Sequence, residues 1–133
     1  MIPLTELGVG EEIFEWVLNG DHKFFNITRL RAYLAENPVA ELVTADVTAQ
    51  QAEFIIKNRG IEKRKLDRLR KPWLSQPILA LLMADGTTLI VDGHHRYVKL
   101  HMEGRTILEA LIVPYEIGER FLVEVPPGVG IMK

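Results

Sequence analysis

Residues 87–97 read Thr-Thr-Leu-Ile-Val-Asp-Gly-His-His-Arg-Tyr and join an apolar run to a helical pattern. The run is rich in β-branched residues and follows Asp85-Gly86, a dipeptide that favours a tight hairpin turn, so it predicts a strand. From Tyr97 onward apolar residues recur at helical spacing until Gly104, which is a typical stop signal for a helix. We therefore expect a strand that ends at a glycine and leads directly into a helix.

The turn Asp92-Gly93-His94-His95-Arg96-Tyr97 has the chemistry of an anion site. The first N–H groups of a helix have no partner within the helix, and the positive end of the helix dipole lies behind them. Arginine binds phosphate bidentately, and histidine donates hydrogen bonds or exchanges protons near neutrality. Glycine at position 93 lets the backbone approach a ligand. The alternative is structural, with Asp92 as an ordinary N-cap residue and the cationic side chains merely solvated.

A longer pattern surrounds this turn. It comprises Gln76-Pro77-Ile78-Leu79-Ala80-Leu81, then Asp85-Gly86, then Leu89 to Leu100, then Gly104 and the apolar run Ile107 to Val113. This pattern resembles the core of the ParB/sulfiredoxin superfamily over about forty residues. In ParB-type domains the corresponding glycine-acid-Arg-Arg segment binds nucleotide phosphates, and in sulfiredoxins it reads Gly-Cys-His-Arg. By this resemblance Gly93 is the shared glycine, His95 the sulfiredoxin histidine and Arg96 the shared phosphate-binding arginine.

Two differences from these families exclude some of the functions that the resemblance would otherwise imply. His94 stands where sulfiredoxin has its catalytic cysteine, and the chain contains no cysteine at all. Because sulfinic acid reduction of that kind needs a thiol, we expect no sulfiredoxin activity. About thirty residues follow Gly104, so we also expect no helix-turn-helix DNA reader of the partition type. The resemblance then implies a small ParB-like NTPase, kinase or nuclease, of the kind often carried on plasmids or phages.

Roles for the residues of the turn follow from the resemblance and from their chemistry. The phosphate would be bound by Gly93, His95, Arg96 and Tyr97. Catalysis would use Arg96 to stabilise phosphoryl charge, His95 to donate to a phosphate oxygen, and His94 or Asp92 in proton transfer or through Mg²⁺ bound with the nucleotide. We expect no histidine metal site. The rival hypothesis is a non-enzymatic module that keeps the anion pocket and binds DNA or a protein.

A second feature is a basic segment from Lys57 to Lys71. It holds eight basic residues against two acidic ones, a formal sum of about +6, although the whole chain carries −2. The charge is therefore polarised along the chain, and nucleic acid is a natural partner for such a segment. The candidate nucleic-acid-binding residues are Lys57, Arg59, Lys63, Arg64, Lys65 and Arg68. A basic helix that is simply solvated is the alternative.

Composition indicates one ordinary globular domain. With 133 residues, 47% hydrophobic and 26% charged, the chain is expected to form a single α+β domain over 1–133, with its core at about 76–113 and a flexible tail at 126–133. The lack of cysteine excludes disulfides and thiolate metal sites. No apolar run approaches the length of a membrane span and no signal peptide is evident, so we expect no membrane partner and a cytoplasmic location.

The N-terminal part predicts helices more clearly than strands. Asn26 would cap a helix to about Glu36, Thr48 with Gln51 would cap a second helix that ends near Gly60, and a third would run over 61–70. The first strand of the sheet could be either Ile2-Pro3-Leu4 or Val43 to Val47.

Two further segments have less distinctive patterns. Phe121 to Val125 could add a late strand. The acidic group Glu11, Glu12 and Glu15 could serve as a general base or hold Mg²⁺, although such groups are usually solvated.

Overall fold

The hairpin predicted around Asp85-Gly86 lies within a small mixed sheet. A computed structural model of the chain describes residues 2–3, 10–18, 21–69, 74 and 76–124. Over these residues helices alternate with small sheets, so the predicted α+β class is confirmed. The chain groups into two units, one of residues 40–113 and one of residues 1–39 with 114–133.

The helices and strands follow one another closely along the chain. In order they are β1 (Ile2–Pro3), β2 (Ile13–Leu18), β3 (Asp21–Asn26), α1 (Ile27–Glu36), β4 (Glu41–Asp46), α2 (Ala49–Asn58), α3 (Lys63–Arg68), β5 (Ile78–Leu82), β6 (Thr88–Asp92), α4 (His94–Met102), β7 (Ile107–Val113), α5 (Tyr115–Gly118) and β8 (Val123–Glu124), with a 3₁₀ turn at Glu119–Phe121.

The unit of residues 40–113 is built on a four-stranded sheet in the order β4-β7-β5-β6. Strands β5 and β6 form the predicted antiparallel hairpin, and β4 pairs antiparallel with β7. Strands β5 and β7 are parallel neighbours. Because parallel neighbours need a crossover connection, the chain passes through β6 and α4 before it returns as β7. The Asp92–Tyr97 turn lies within this crossover.

One face of this sheet packs against helices α2, α3 and α4. Ile78 on β5, Leu108 and Ala110 on β7, and the partly buried Val43 and Ala45 on β4 belong to one apolar cluster. The helices contribute the buried residues Ala52, Ile55, Leu66, Tyr97, Val98 and Leu100. Over residues 107–110 of β7, exposed and buried residues alternate, which is the period-two pattern of a strand with one face towards helices.

The predicted helix starts are confirmed. The side chain of Asn26 accepts from the Arg29 N–H at 3.0 Å, and the side chain of Thr48 accepts from the Gln51 N–H at 3.2 Å. Each bond satisfies one of the N–H groups that a helix start leaves without a partner. The third helix is shorter than the predicted 61–70, since α3 spans Lys63–Arg68, and Arg70 lies outside the described residues.

Both candidates for the first strand form strands, but in different units. Val43 to Asp46 belongs to β4 in the four-stranded sheet, whereas Ile2–Pro3 is β1 and pairs in parallel with β8. The predicted late strand is present as Val123–Glu124, but Phe121 belongs to the 3₁₀ turn. Val125 and the tail 126–133 lie outside the described residues. The β2–β3 hairpin, which leads into α1, is a further element of that second unit.

Tyr97 ties α4 to the junction of β4 and α2. Its hydroxyl accepts from the Thr48 N–H at 2.9 Å and donates to the Asp46 carbonyl at 3.1 Å.

We predict that Tyr97→Phe lowers the free energy of unfolding by about 1–3 kcal/mol, because two backbone groups lose a partner. Urea denaturation would measure this loss. Tyr33→Phe, which removes an exposed bond from Arg120, is the matched control, and equal midpoints for the two variants would contradict the prediction.

Candidate functional site

Gly93 adopts a backbone conformation that few other residues tolerate. Its φ is +98°, in the left-handed region, and it is the N-cap of α4. A Cβ atom at this position would lie 2.7 Å from Cγ2 of Ile78, which is closer than real carbon contacts. The alternative in which Asp92 is the N-cap is therefore wrong, because the helix begins one residue later at a glycine with no side-chain cap.

His94 lines a cleft between α2 and β6. The cleft has a volume of about 220 Å³. Its described lining residues are Gln51, Phe54, Ile55, Arg59, Thr88, Leu89, Ile90 and His94. Arg59 is the C-cap residue of α2, so the cleft brings together the end of one helix and the start of another. Among the residues of the Asp92–Tyr97 turn, His94 is the one found in this described lining.

The surroundings of His94 keep its imidazole neutral. Burial lowers the pKa of His94 to about 4, and the nearby positive charge of Arg59 acts in the same direction. A hydrogen bond with the backbone of Ile90 and the charge of Asp92 oppose these effects only in part. At neutral pH the ring is therefore a hydrogen-bond and proton acceptor beside an arginine.

His95 connects α4 to the start of α3. Its Nε2 accepts a hydrogen bond from the Glu62 N–H at 3.1 Å. Partial burial and the charge of Lys65 lower the pKa of His95, with Glu62 opposing them. Because Nε2 is an acceptor here, the neutral ring carries its proton on Nδ1. A hydrogen bond from His95 to a phosphate oxygen, as the sequence predicts, would therefore come from Nδ1.

Arg96 braces the segment that precedes β5. Its Nη1 donates to the carbonyl of Gln76 at 3.0 Å and to the carbonyl of Pro77 at 2.6 Å, and Nη2 lies 3.9 Å from Oδ2 of Asp92. The Arg96 side chain is 15% exposed. The bidentate grip on phosphate that the sequence predicts would require Arg96 to exchange some of these contacts. Tyr97, also predicted to bind phosphate, has its hydroxyl in the two backbone bonds described above.

The basic segment reaches the turn at two points. Arg59 lies near His94 and Lys65 lies near His95, close enough for both charges to act on the imidazole rings and lower their pKa values. The remaining candidates Lys57, Lys63, Arg64 and Arg68 are exposed on α2 and α3. Arg70 and Lys71 lie outside the described residues. Positive charge therefore surrounds the start of α4 from two neighbouring helices.

Six residues of the described lining carry no site role in the sequence prediction, and three of them are apolar and aliphatic: Ile55, Leu89 and Ile90. Gln51, Phe54 and Thr88 contribute polar or aromatic groups to the lining. A signal for the first two exists in the spacing of Gln51, Phe54, Ile55 and Arg59, which places them near one face of α2. That spacing alone does not distinguish a cleft face from a core face.

Two members of the acidic group near the N-terminus are held in ion pairs with arginines of their own unit. Oε1 of Glu11 lies 2.7 Å from Nε of Arg29, and Oε2 of Glu12 lies 2.5 Å from Nη2 of Arg31. Glu15 lies 3.7 Å from Nδ1 of His22. Within the described ranges no group of three or more His, Asp or Glu side chains is arranged to hold a metal ion.

Comparisons of the chain with protein-family models, with curated proteins and with solved structures find no match. Over the part of the chain that the structure describes, none of the helices combines the length and the apolar character needed to cross a membrane.

We predict that Gly93→Ala destabilises the protein by about 2–4 kcal/mol, because it adds left-handed backbone strain to an overlap with Ile78. Gly86→Ala is the control, since Gly86 has a φ of +87° but no neighbouring atom within 4 Å of the place that a methyl group would take. Chemical denaturation of both variants measures the difference. Equal losses would show that the Ile78 contact is unimportant.

We also predict a pH dependence that belongs to His94. An unfolded-chain histidine titrates near pH 6.5 and folded His94 near 4, so the unfolded state binds more protons between these values. The stabilisation is complete above about pH 6.5 and is lost as the pH falls towards 4. Relative to His94→Gln, the wild type should lose about 1–3 kcal/mol across this window. Urea denaturation at each pH measures the free energy of unfolding of the two proteins. A difference between them that stays constant across this window would contradict the prediction.

Proposed function

We propose that this protein is a ParB/sulfiredoxin-like domain that binds the phosphate of a nucleotide or nucleic acid at the start of α4 and performs phosphoryl or phosphodiester chemistry there. One observation carries the proposal. Arg59 and the neutral imidazole of His94 line the same small cleft, beside the Asp92–Tyr97 turn. The absence of cysteine argues against sulfiredoxin chemistry at this position.

The electrostatics of the cleft favour an anion. The guanidinium of Arg59, the charge of Lys65 on α3 and the N-terminal end of α4 all contribute positive potential at the turn. Asp92 and Glu62 offset part of it. Phosphate is the anion that this combination of arginine and backbone N–H groups commonly binds in proteins.

The size of the cleft suits the phosphate-bearing part of a nucleotide. Phe54, Ile55 and Leu89 provide apolar surface next to Arg59. Sites that enclose a whole small molecule usually measure about 300–1,000 Å³, and this cleft is about 220 Å³. It therefore has room for the phosphate-bearing part of a ligand, with the rest of the ligand at the rim.

The reaction we propose uses His94 as the proton acceptor. A neutral imidazole beside a bound phosphate takes a proton from an attacking water or hydroxyl, whose oxygen then bonds to phosphorus. The bond from phosphorus to the leaving oxygen breaks, and that oxygen departs with the electron pair and takes a proton from solvent. Arg59 stabilises the negative charge that develops on the phosphoryl oxygens. His95 contributes its Nδ1–H, and Arg96 orients the turn through the carbonyls of residues 76 and 77.

Mg²⁺ fits this site as an ion that arrives with the nucleotide. Magnesium is commonly held by one or two carboxylates together with substrate phosphates. Asp92 supplies a carboxylate directly before Gly93, with its side chain 30% exposed. When bound, the ion would neutralise charge on the phosphates, and Asp92 would hold it.

We predict that millimolar ATP, CTP or polyphosphate raises the melting temperature, because a ligand bound only by the folded state stabilises it. Arg59→Gln should remove most of this shift. His94→Gln should lower NTP or phosphodiester hydrolysis by about 10²–10⁴-fold, since it removes the proton acceptor. Arg31→Gln, which removes one positive charge in the other unit, is the control for charge alone. A wild-type protein that no phosphate compound stabilises would overturn the proposal.

A second candidate is a binding module without turnover. The contacts of Arg96 and Tyr97 favour it, because both side chains serve the packing of the turn through backbone hydrogen bonds. Nucleotide binding that depends on Arg59, without hydrolysis in Mg²⁺ or Mn²⁺, would select this candidate. Hydrolysis that survives in His94→Gln at the wild-type rate would show that His94 is not the proton acceptor.

A further inference from the structure

Phe54 is a large aromatic side chain at the rim of the cleft. It is 55% exposed, whereas its neighbour Ile55 is 1% exposed and belongs to the core. A single exposed apolar residue is common on protein surfaces. The position of Phe54 is more informative than its exposure, because it lines the same cleft as Arg59 and His94.

The ring and the charges lie in the arrangement that single-stranded nucleic acids need. Bases stack on exposed aromatic rings while the phosphates between them follow a basic groove. Here an aromatic ring and an arginine are separated by little more than one turn of α2, and they share one cleft. The basic segment itself contains no aromatic residue over Lys57 to Arg68, and the preceding turn of the same helix supplies one.

The positive charge continues past the cleft. On α2 and α3 the exposed basic residues outside its described lining are Lys57, Lys63, Arg64, Lys65 and Arg68. Lys65 lies 3.6 Å from Glu62, but both side chains are about half exposed and such pairs are weak. The acidic residues of α2, α3 and their connection are Glu53, Glu62 and Asp67, against six basic ones, so residues 49–68 carry a formal net charge of about +3, and this excess lies on α3. A mononucleotide would use only the part of this charge nearest the cleft.

We propose that the ligand of this site is a single-stranded polynucleotide, with one base stacked on Phe54, the adjoining phosphate between Arg59 and His94, and further phosphates along the basic residues of α3. This inference rests on the proposed function, whose cleft it uses, and it assigns the substrate class. A duplex fits less well, because its bases are already stacked on one another and cannot reach the ring. Sequence preference should be slight, since every base has a face that can stack.

The test is fluorescence anisotropy with labelled dT12 and rU12, with the matching duplexes as competitors. Phe54→Ala should weaken binding of the single strands by about 5- to 100-fold, the range expected for one lost stacking contact. Phe54→Tyr and Phe54→Trp should retain binding, whereas Phe54→Leu should not. Ile56→Ala is the matched control, because Ile56 is 53% exposed on the same helix and does not belong to the described lining of the cleft. Circular dichroism would verify that each variant is folded.

A second measurement tests the path along α3. The variant with alanine at Lys63, Arg64 and Arg68 should reduce the dependence of log affinity on log salt by about 2 for dT12, because about three phosphate contacts are lost. The same variant should leave the protection by ATP nearly unchanged. Stronger binding of rU12 than of dT12 would assign RNA as the ligand, and the reverse would assign DNA.

Three results would overturn the inference. They are unchanged dT12 and rU12 binding by Phe54→Ala, rescue by Phe54→Leu that equals the rescue by Phe54→Tyr, and duplex binding as tight as single-strand binding. If any of these occurs while ATP still protects the wild type through Arg59, the proposed function stands and the polynucleotide inference fails. If neither nucleotides nor oligonucleotides bind at low salt, both fail.

Discussion

The left-handed backbone at Gly93 is the constraint on which the rest of the sheet unit depends. The glycine lies against Ile78, so the chain can leave β6 and enter α4 only where no Cβ is present. This sharp junction directs α4 back across the sheet, where it packs with the apolar cluster of β5 and β7. The parallel pairing of β5 and β7 depends on this helix, because α4 carries the chain from the end of β6 back to the start of β7, which then runs in the same direction as β5. The cleft then lies where β6 ends and α4 begins.

The four residues of the first turn of α4 contact four different parts of the structure. Successive side chains on a helix point about 100° apart, so residues that are adjacent in sequence face different neighbours. His94 faces the cleft, His95 contacts the start of α3, Arg96 contacts the carbonyls before β5, and Tyr97 contacts the junction of β4 and α2. Residues that are consecutive in the sequence therefore do not converge on one site in the structure. The cation in the described lining of the cleft, Arg59, comes from the end of α2 instead.

This distribution changes the chemical interpretation of the turn. Three of the side chains hold neighbouring segments in place, and that fixed framework positions His94 against Arg59. Rigid placement matters for a phosphate site, because a donor or acceptor contributes to the reaction only when it already points to where charge develops. The lowered pKa of His94 has the same origin, since burial and Arg59 both favour the neutral ring.

Local chemistry by itself determined the helix starts at Asn26 and Thr48, the hairpin at Asp85-Gly86 and the helix that follows Gly93, because each depends on neighbours within a few residues. It also contains a signal for the pairing of β2 with β3, because the dipeptide Asn19-Gly20, which favours a tight hairpin turn, stands between these two segments. The strand order β4-β7-β5-β6, the placement of β4 in the sheet and the meeting of Arg59, Phe54 and His94 were decided only by the tertiary structure. These features bring together residues that lie tens of positions apart, and they result from the packing of apolar faces. Local sequence does not distinguish among the many strand orders and helix placements that would bury the same faces. The sequence therefore predicts a phosphate site near Gly93, whereas the packing of α2 against α4 decides which side chains line the cleft there.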